Sequence, residues 1–377
     1  MSTPTAPPVF RTASGQYLTR PRREERGGAP VGESPLPRSA PRYRVIDVLR
    51  GFAVCGILLV NIGDITHLGW DAPVTTNAPS TAAAALHYLV STRFVPIFAF
   101  MFGMSLKFVA DSASRRGASP WTVVGRRLIA LLAIGVLHSL VYPGEVLKVY
   151  AVVGLLVLPV VLKAPRWLVA VLAVTGTIAS FAWVGSSVIN VPPLFLLGAA
   201  AAAYGLPARL EHPDRRLVLA TAAAAALTIP AVYAQTYDID GDPRYGYFGG
   251  IAGGVQAMLY ICLIALACSS PIRKPVIAFF EPLGKMALTC YVSASFIVAA
   301  IGSALHWASS RDLRPLLAVA VLVLVVQSVV ARLWLRGFRY GPLEWVWRCL
   351  TWWTLVDLRQ GVCQERHTDA IRPREGR

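Results

Sequence analysis

Apolar residues gather into runs close to the length of a bilayer crossing, broken by short joints that carry polar side chains, Pro or Gly. The runs predict helices over 45–63, 86–109, 121–141, 148–163, 167–184, 191–206, 217–234, 250–270, 285–303 and 315–333. A crossing helix needs roughly 20 predominantly apolar residues. The chain therefore reads as all-α, a polytopic membrane bundle of about ten transmembrane helices within a transmembrane domain over 42–337.

Charge divides the joints into two sets. Arg115, Arg116, Arg126 and Arg127 fall on one side, followed there by Lys163 and Arg166, then Arg209, Arg215 and Arg216, then Arg273, Lys274 and Lys285. The intervening joints hold only Lys148, Arg244, Arg311 and Arg314. Lys and Arg collect in cytoplasmic loops, so both termini are expected in the cytoplasm. Residues 1–41 are rich in Pro, Arg, Ser and Gly and cannot bury enough apolar surface to fold. A disordered cytoplasmic tail is expected there, with the first span acting as signal anchor because no cleavable pattern stands near Met1. Residues 359–377 read as a second polar cytoplasmic tail. Between them and the last span, Trp345, Trp347, Trp352 and Trp353 alternate with Glu344 and Arg348. That mixture suits an amphipathic segment over 338–358 lying in the headgroup zone; a crossing would bury both charges.

Composition narrows the class. With 55% hydrophobic and 15% charged residues, the 377-residue chain is too apolar for an ordinary soluble domain. The formal charge of +16 would suit nucleic acid only on a domain that interleaves basic and aromatic residues, and none is present. The expected partner is the lipid bilayer, with no nucleic acid. The six cysteines include no CxxC pair and sit mostly inside apolar runs, where they pack. In YDIDGDPRYGY, Gly241 stands fourth rather than sixth from Asp238, so the loop is not of the calcium-binding hand type. No metal site and no tightly bound cofactor are expected.

Four motifs in order, RVIDVLRGFAVCGILLVNI, RRLIALLAIGVLHSLVYPGEVLKVYAVVGLL, EPLGKMALTCYVSAS and RYGPLEWVWRCLTWW, resemble the YeiB-type family of bacterial inner-membrane proteins, the domain-of-unknown-function family 418. In its first helix that family is similar to membrane acyltransferases, including heparan-alpha-glucosaminide N-acetyltransferase and enzymes of the O-antigen acetylase type. The resemblance implies a multi-pass protein of the bacterial plasma membrane. It also implies an acyl group carried from cytoplasmic acyl-CoA, as co-substrate, to an extracytoplasmic envelope acceptor. A small-solute transporter or exporter without group transfer is the alternative, though the two halves show no internal repeat that would favour it.

The candidate residues follow from both lines. Asp47 and Arg50 are three apart and share a helix face at the expected cytoplasmic mouth. They are either a topological anchor or a phosphate clamp for the donor, since Arg presents a planar fork of N–H groups. Eleven positions after Arg50 the acetylase type carries a His, and this chain has Asn61. Asn cannot exchange a proton near neutral pH, so it can position an acceptor or a carbonyl but cannot act as base. His138 precedes Glu145 by seven residues, with Pro143 and Gly144 between them to turn the chain back. The resemblance implies a His followed by an acid at this place, a catalytic pair. His67, in the joint after the first span, is the second candidate base by analogy to the heparan-modifying enzyme. Arg93 and Tyr150 are expected substrate contacts, Arg93 facing the cavity with Asp64 or Glu145 as partner. Glu281 and Lys285, four apart, read as the start of the ninth span.

Overall fold

The computed structural model describes residues 43–73, 80–238 and 246–360. The expected tail over 1–41, the end of the chain beyond 360, and Asp240 and Asp242 of the acidic loop lie outside these. Among the described residues the fold is all-α: α1 (Arg44–Ile65), α2 (Thr81–Leu89), α3 (Phe94–Arg115), α4 (Pro120–His138), α5 (Leu147–Lys163), α6 (Arg166–Val184), α7 (Val191–Ala203), α8 (Leu206–Glu211), α9 (Arg215–Gln235), α10 (Tyr247–Ala267), α11 (Arg273–Lys285), α12 (Ala287–Ala304), α13 (Leu313–Gly337) and α14 (Pro342–Trp352). Eight segments are long and apolar enough to cross a membrane, α2 and α3 counting together. The other two expected spans are shorter. α5 has 17 residues and α7 has 13, and α7 rises only about 20 Å along its axis.

Helix ends follow local chemistry. Asp214 caps α9 by accepting from the amides of Arg216 and Leu217, and Asp312 caps α13 through Arg314. Prolines open α4, α7 and α14, where the missing N–H costs nothing.

α1 is the central helix, with 78% of its apolar window buried, while α6 and α9 bury only 11% of theirs. The outer faces of α6 and α9 are apolar and suit lipid, as Trp183 and Ile229 show. Two crossings set the bundle's inner geometry through glycine. A Cβ on Gly51 would lie 1.9 Å from the Phe280 carbonyl oxygen, and one on Gly284 would lie 1.7 Å from that of Asp47. α1 and α11 thus touch backbone to backbone, each helix supplying the glycine that admits the other. Gly103 and Gly198 do the same for α3 and α7.

Three features depart from the pattern read along the chain. The span expected over 86–109 is broken between α2 and α3, where Thr92 takes a left-handed backbone with φ of 69°. That conformation is costly for a β-branched residue. It is held by a hydrogen bond of 2.7 Å from the Thr92 hydroxyl to the Gly249 carbonyl of α10. Secondly, Glu281 and Lys285 close α11 instead of opening the ninth span. α11 is a helix of its own, ending at Lys285, and its Glu281 also pairs with Arg44 at 3.4 Å. Its charged face met the solvated joint pattern, while its apolar face found α1. Thirdly, Arg93 donates to the side-chain amides of Gln235 and Gln256, as given below.

α14 is too short to cross. Its Glu344 reaches the first turn of α12, accepting from the amides of Leu288 at 2.7 Å and Thr289 at 3.0 Å and from the Thr289 hydroxyl at 2.5 Å. A carboxylate there satisfies amides that have no partner inside the helix and meets the positive end of its dipole. Glu344→Ala is expected to destabilise the protein by about 1–3 kcal/mol, read as a lower melting temperature in detergent, and Glu344→Gln to recover part of the loss.

Candidate functional site

At the end where α1 begins, Arg50 donates to Asp47 at 3.1 Å and to the Gly284 carbonyl at 3.3 Å. The three-residue spacing on one helical face brings the pair together as expected. Asn61 lies eleven residues on, about 16 Å along the helix axis. It is buried, 6% exposed, and its amide nitrogen has no hydrogen-bond partner among the described residues.

Asn61 faces a small cavity between α1, α12 and α13, walled by Ile57, Leu58 and Leu324 and completed by Tyr291, Ser295 and Gln327. It has room for about one water molecule. The Tyr291 hydroxyl and Gln327 Oε1 have no hydrogen-bond partner among the described residues. Gln327 is oriented by its amide nitrogen, which donates to the Cys290 carbonyl at 2.9 Å. Buried polar groups normally find partners, and leaving one without costs about 1–3 kcal/mol. Several such groups around one cavity mark a place built for a polar occupant.

His138 stands behind Tyr291, with ring centroids 5.1 Å apart, and neither imidazole nitrogen has a partner among the described residues. The turn through Pro143 and Gly144 does bring Glu145 back to it. The carboxylate lies 4.0 Å from Nδ1, an electrostatic contact longer than a hydrogen bond. Glu145 is also an anchor of α5, accepting from the amides of Leu147 at 2.6 Å and Lys148 at 3.1 Å. The Tyr150 hydroxyl donates to the Val95 carbonyl at 3.1 Å.

His67 is exposed in the joint after α1 and packs against Trp70, outside the cavity. Arg93 is fully buried. Its guanidinium donates to Gln256 and Gln235, each at 2.5 Å, to the Ser91 carbonyl and to the Thr92 hydroxyl. Its charge is solvated by dipoles, because α9 and α10 each turn an amide side chain inward at its level. Gln235 extends the chain of contacts to His87 Nε2 at 3.0 Å.

Tyr291, Ser295 and Gln327 were not foreseen from the sequence. Gln327 had a signal, a single amide in the middle of VLVLVVQSVVARL, where a polar side chain at membrane depth is expensive unless used. Tyr291 had none, since a tyrosine near the start of a span is ordinary.

Fold and site together define a polytopic all-α membrane protein with a buried polar centre between its helices. Residues 42–207 match the family described as heparan-alpha-glucosaminide N-acetyltransferase, catalytic, and residues 201–354 match the family described as protein of unknown function, DUF418. The chain is 29% identical over 331 residues to the uncharacterized 39.9 kDa protein in amylase 3'region of Bacillus acidopullulyticus, covering 82% of this chain and 94% of that one. It is 26% identical over 379 residues to the uncharacterized protein YeiB of Escherichia coli, covering 82% and 96%. A third relative, the uncharacterized protein YxaH of Bacillus subtilis, is 26% identical over 387 residues at 82% and 94% coverage. The resemblance to the YeiB-type family therefore extends well beyond its four motifs. The cavity lies where the two matched portions meet: Asn61 comes from the first, and Tyr291, Ser295 and Gln327 from the second.

Proposed function

We propose that this protein is an acyltransferase of the bacterial plasma membrane, with both termini cytoplasmic. In this reading it passes an acyl group from cytoplasmic acyl-CoA to a hydroxyl or amine of an extracytoplasmic envelope acceptor. The observation that carries the reading is the set of unpartnered polar atoms of Asn61, Tyr291 and His138, gathered inside the bundle within reach of the acyltransferase-like portion.

The donor's phosphates dock at the end marked by Arg50 and Asp47, and its thioester arm runs inward along α1. His138 takes the proton of the acceptor hydroxyl or amine, and the freed lone pair forms the new bond to the acyl carbon. The carbon–sulfur bond then breaks and the thiolate leaves with the proton held by His138. Glu145, 4.0 Å from the imidazole, stabilises the imidazolium that forms between these steps. The Asn61 amide and the Tyr291 hydroxyl are donors fit for the carbonyl oxygen as it gains charge. Since the cavity admits about one water molecule, α1, α12 and α13 must part to admit the acyl group.

The test uses full-length protein in neutral-lipid nanodiscs with acetyl-CoA. Binding is expected to raise the melting temperature, equivalent to about 2.7 kcal/mol at a hundredfold excess over Kd. Arg50→Ala should lose that shift while His138→Ala keeps it. No stabilisation by any CoA thioester, together with no label passing from acyl-CoA to the envelope fraction, would overturn the reading.

A further inference from the structure

One acceptor in the buried cavity takes no part in the transfer chemistry. Gln327, in the middle of α13, is buried and fixed from one side: Nε2 donates to the Cys290 carbonyl at 2.9 Å and to the Ser293 hydroxyl at 3.1 Å. A carbonyl can only accept, so the amide nitrogen faces it and Oε1 faces away. That oxygen has no hydrogen-bond partner among the described residues. Asn61 and Tyr291 line the same cavity and carry donors, yet neither bonds to it. Ser295, also on the wall, spends its O–H on the Tyr291 carbonyl at 3.2 Å. Among the lining residues none is a carboxylate.

A buried oxygen fixed in this way calls for a donor brought by the substrate. The acyl group and its thioester carry no polar hydrogen. The acceptor must therefore supply one, besides the proton that passes to His138. A lone hydroxyl has a single O–H and cannot serve both groups. An alkylamine arrives at neutral pH as an ammonium, whose charge would be buried with no carboxylate on the wall to pair it. A hydroxyl with a second hydroxyl on the neighbouring carbon meets both demands without charge.

We infer that Gln327 selects the acceptor: its Oε1 receives one O–H of an uncharged 1,2-diol, of the kind a sugar ring or a glycerol headgroup presents, while the acyl group goes to the other oxygen. This rests on the acyltransferase reading and names the substrate class that reading leaves open. The reacting hydroxyl gives its proton to His138 and its oxygen bonds to the acyl carbon. The carbon–sulfur bond breaks and the thiolate takes up that proton, while the neighbouring hydroxyl stays bonded to Gln327 unchanged.

Full-length protein in phosphatidylcholine nanodiscs is given labelled acetyl-CoA with 1,2-propanediol, 1-propanol or propylamine. The diol is expected to be acylated about tenfold faster than 1-propanol, the scale of one hydrogen bond, and propylamine not at all. Gln327→Leu should remove the preference for the diol and keep the rise in melting temperature with acetyl-CoA; a merely structural role would slow both alcohols alike and leave their ratio. Equal rates for the two alcohols in wild type, preference for propylamine, or an unchanged ratio in the variant overturns the proposal. A second arm needs no variant: the isolated envelope fraction serves as acceptor, with or without prior periodate, which cleaves 1,2-diols. Labelling is expected to be lost after periodate, and label on untreated envelopes to be released by mild alkali as an ester is. Undiminished labelling after periodate, or alkali-stable label, overturns the diol and leaves the acyltransferase reading. No label in either arm removes both. Label extracted by chloroform–methanol assigns the diol to a lipid headgroup, and label left in the residue assigns it to a glycan; each upholds the proposal.

Discussion

Replacing His138 by glutamine is expected to lower acyl transfer by about 10²–10⁴-fold, the usual contribution of a positioned general base, without lowering the melting temperature. The two halves of that expectation come from one observation. Neither imidazole nitrogen has a hydrogen-bond partner among the described residues, so removing the ring breaks no hydrogen bond. A structural histidine would behave in the opposite way, because its substitution would strand partners and cost stability. Label transfer from acyl-CoA to the envelope fraction, measured beside thermal unfolding, separates the cases. Full transfer with a lowered melting temperature would make His138 a packing residue. Glu145→Gln should differ from both, since its carboxylate also holds the first amides of α5 and the variant would lose some stability along with activity.

The second large effect is structural. Gly284→Leu is expected to destabilise by more than about 3 kcal/mol and to sharply reduce the monodisperse fraction recovered in detergent. The clash is with backbone: the new Cβ would lie 1.7 Å from the Asp47 carbonyl oxygen, and a carbonyl within a helix cannot rotate aside as a side chain can. Relief requires α1 and α11 to separate, which also breaks the bond from Arg50 to the Gly284 carbonyl. Any surviving protein should therefore bind the anionic donor more weakly. Gly125→Ala is the control. A Cβ there meets nothing within 4 Å in the middle of α4, so the change should be neutral or stabilising by about 0.5–1 kcal/mol. Equal losses in the two variants would remove the close crossing as the cause.

Much of the scaffold was legible in the chain. Runs of apolar residues broken by polar joints produce helices in a bilayer because the backbone has no other way to satisfy its hydrogen bonds there. All the expected spans appear as helices, the second with a break at its start. The pairings Asp47 with Arg50 and His138 with Glu145 were also readable, one from helical spacing and the other from a turn sequence. These are local relations, encoded over fewer than ten residues. The clustering of Lys and Arg in alternate joints was legible for the same reason.

Other features depended on which faces meet. Asn61 was recognisable as polar, but only the approach of α12 and α13 to α1 gives it Tyr291 and Gln327 across one cavity. Arg93 was recognisable as expensive, yet its hydrogen bonds to Gln235 and Gln256 come from helices more than 140 residues away along the chain. Arg127 looked like one more topological arginine until α14 laid Trp347 beneath it. The sequence by itself determined that the chain forms apolar helices with polar residues at their ends. The tertiary structure decided which of those residues share a site, because helix contacts are selected by shape, above all the glycines that let α1 meet α11 and α3 meet α7, and shape at a crossing depends on both partners at once.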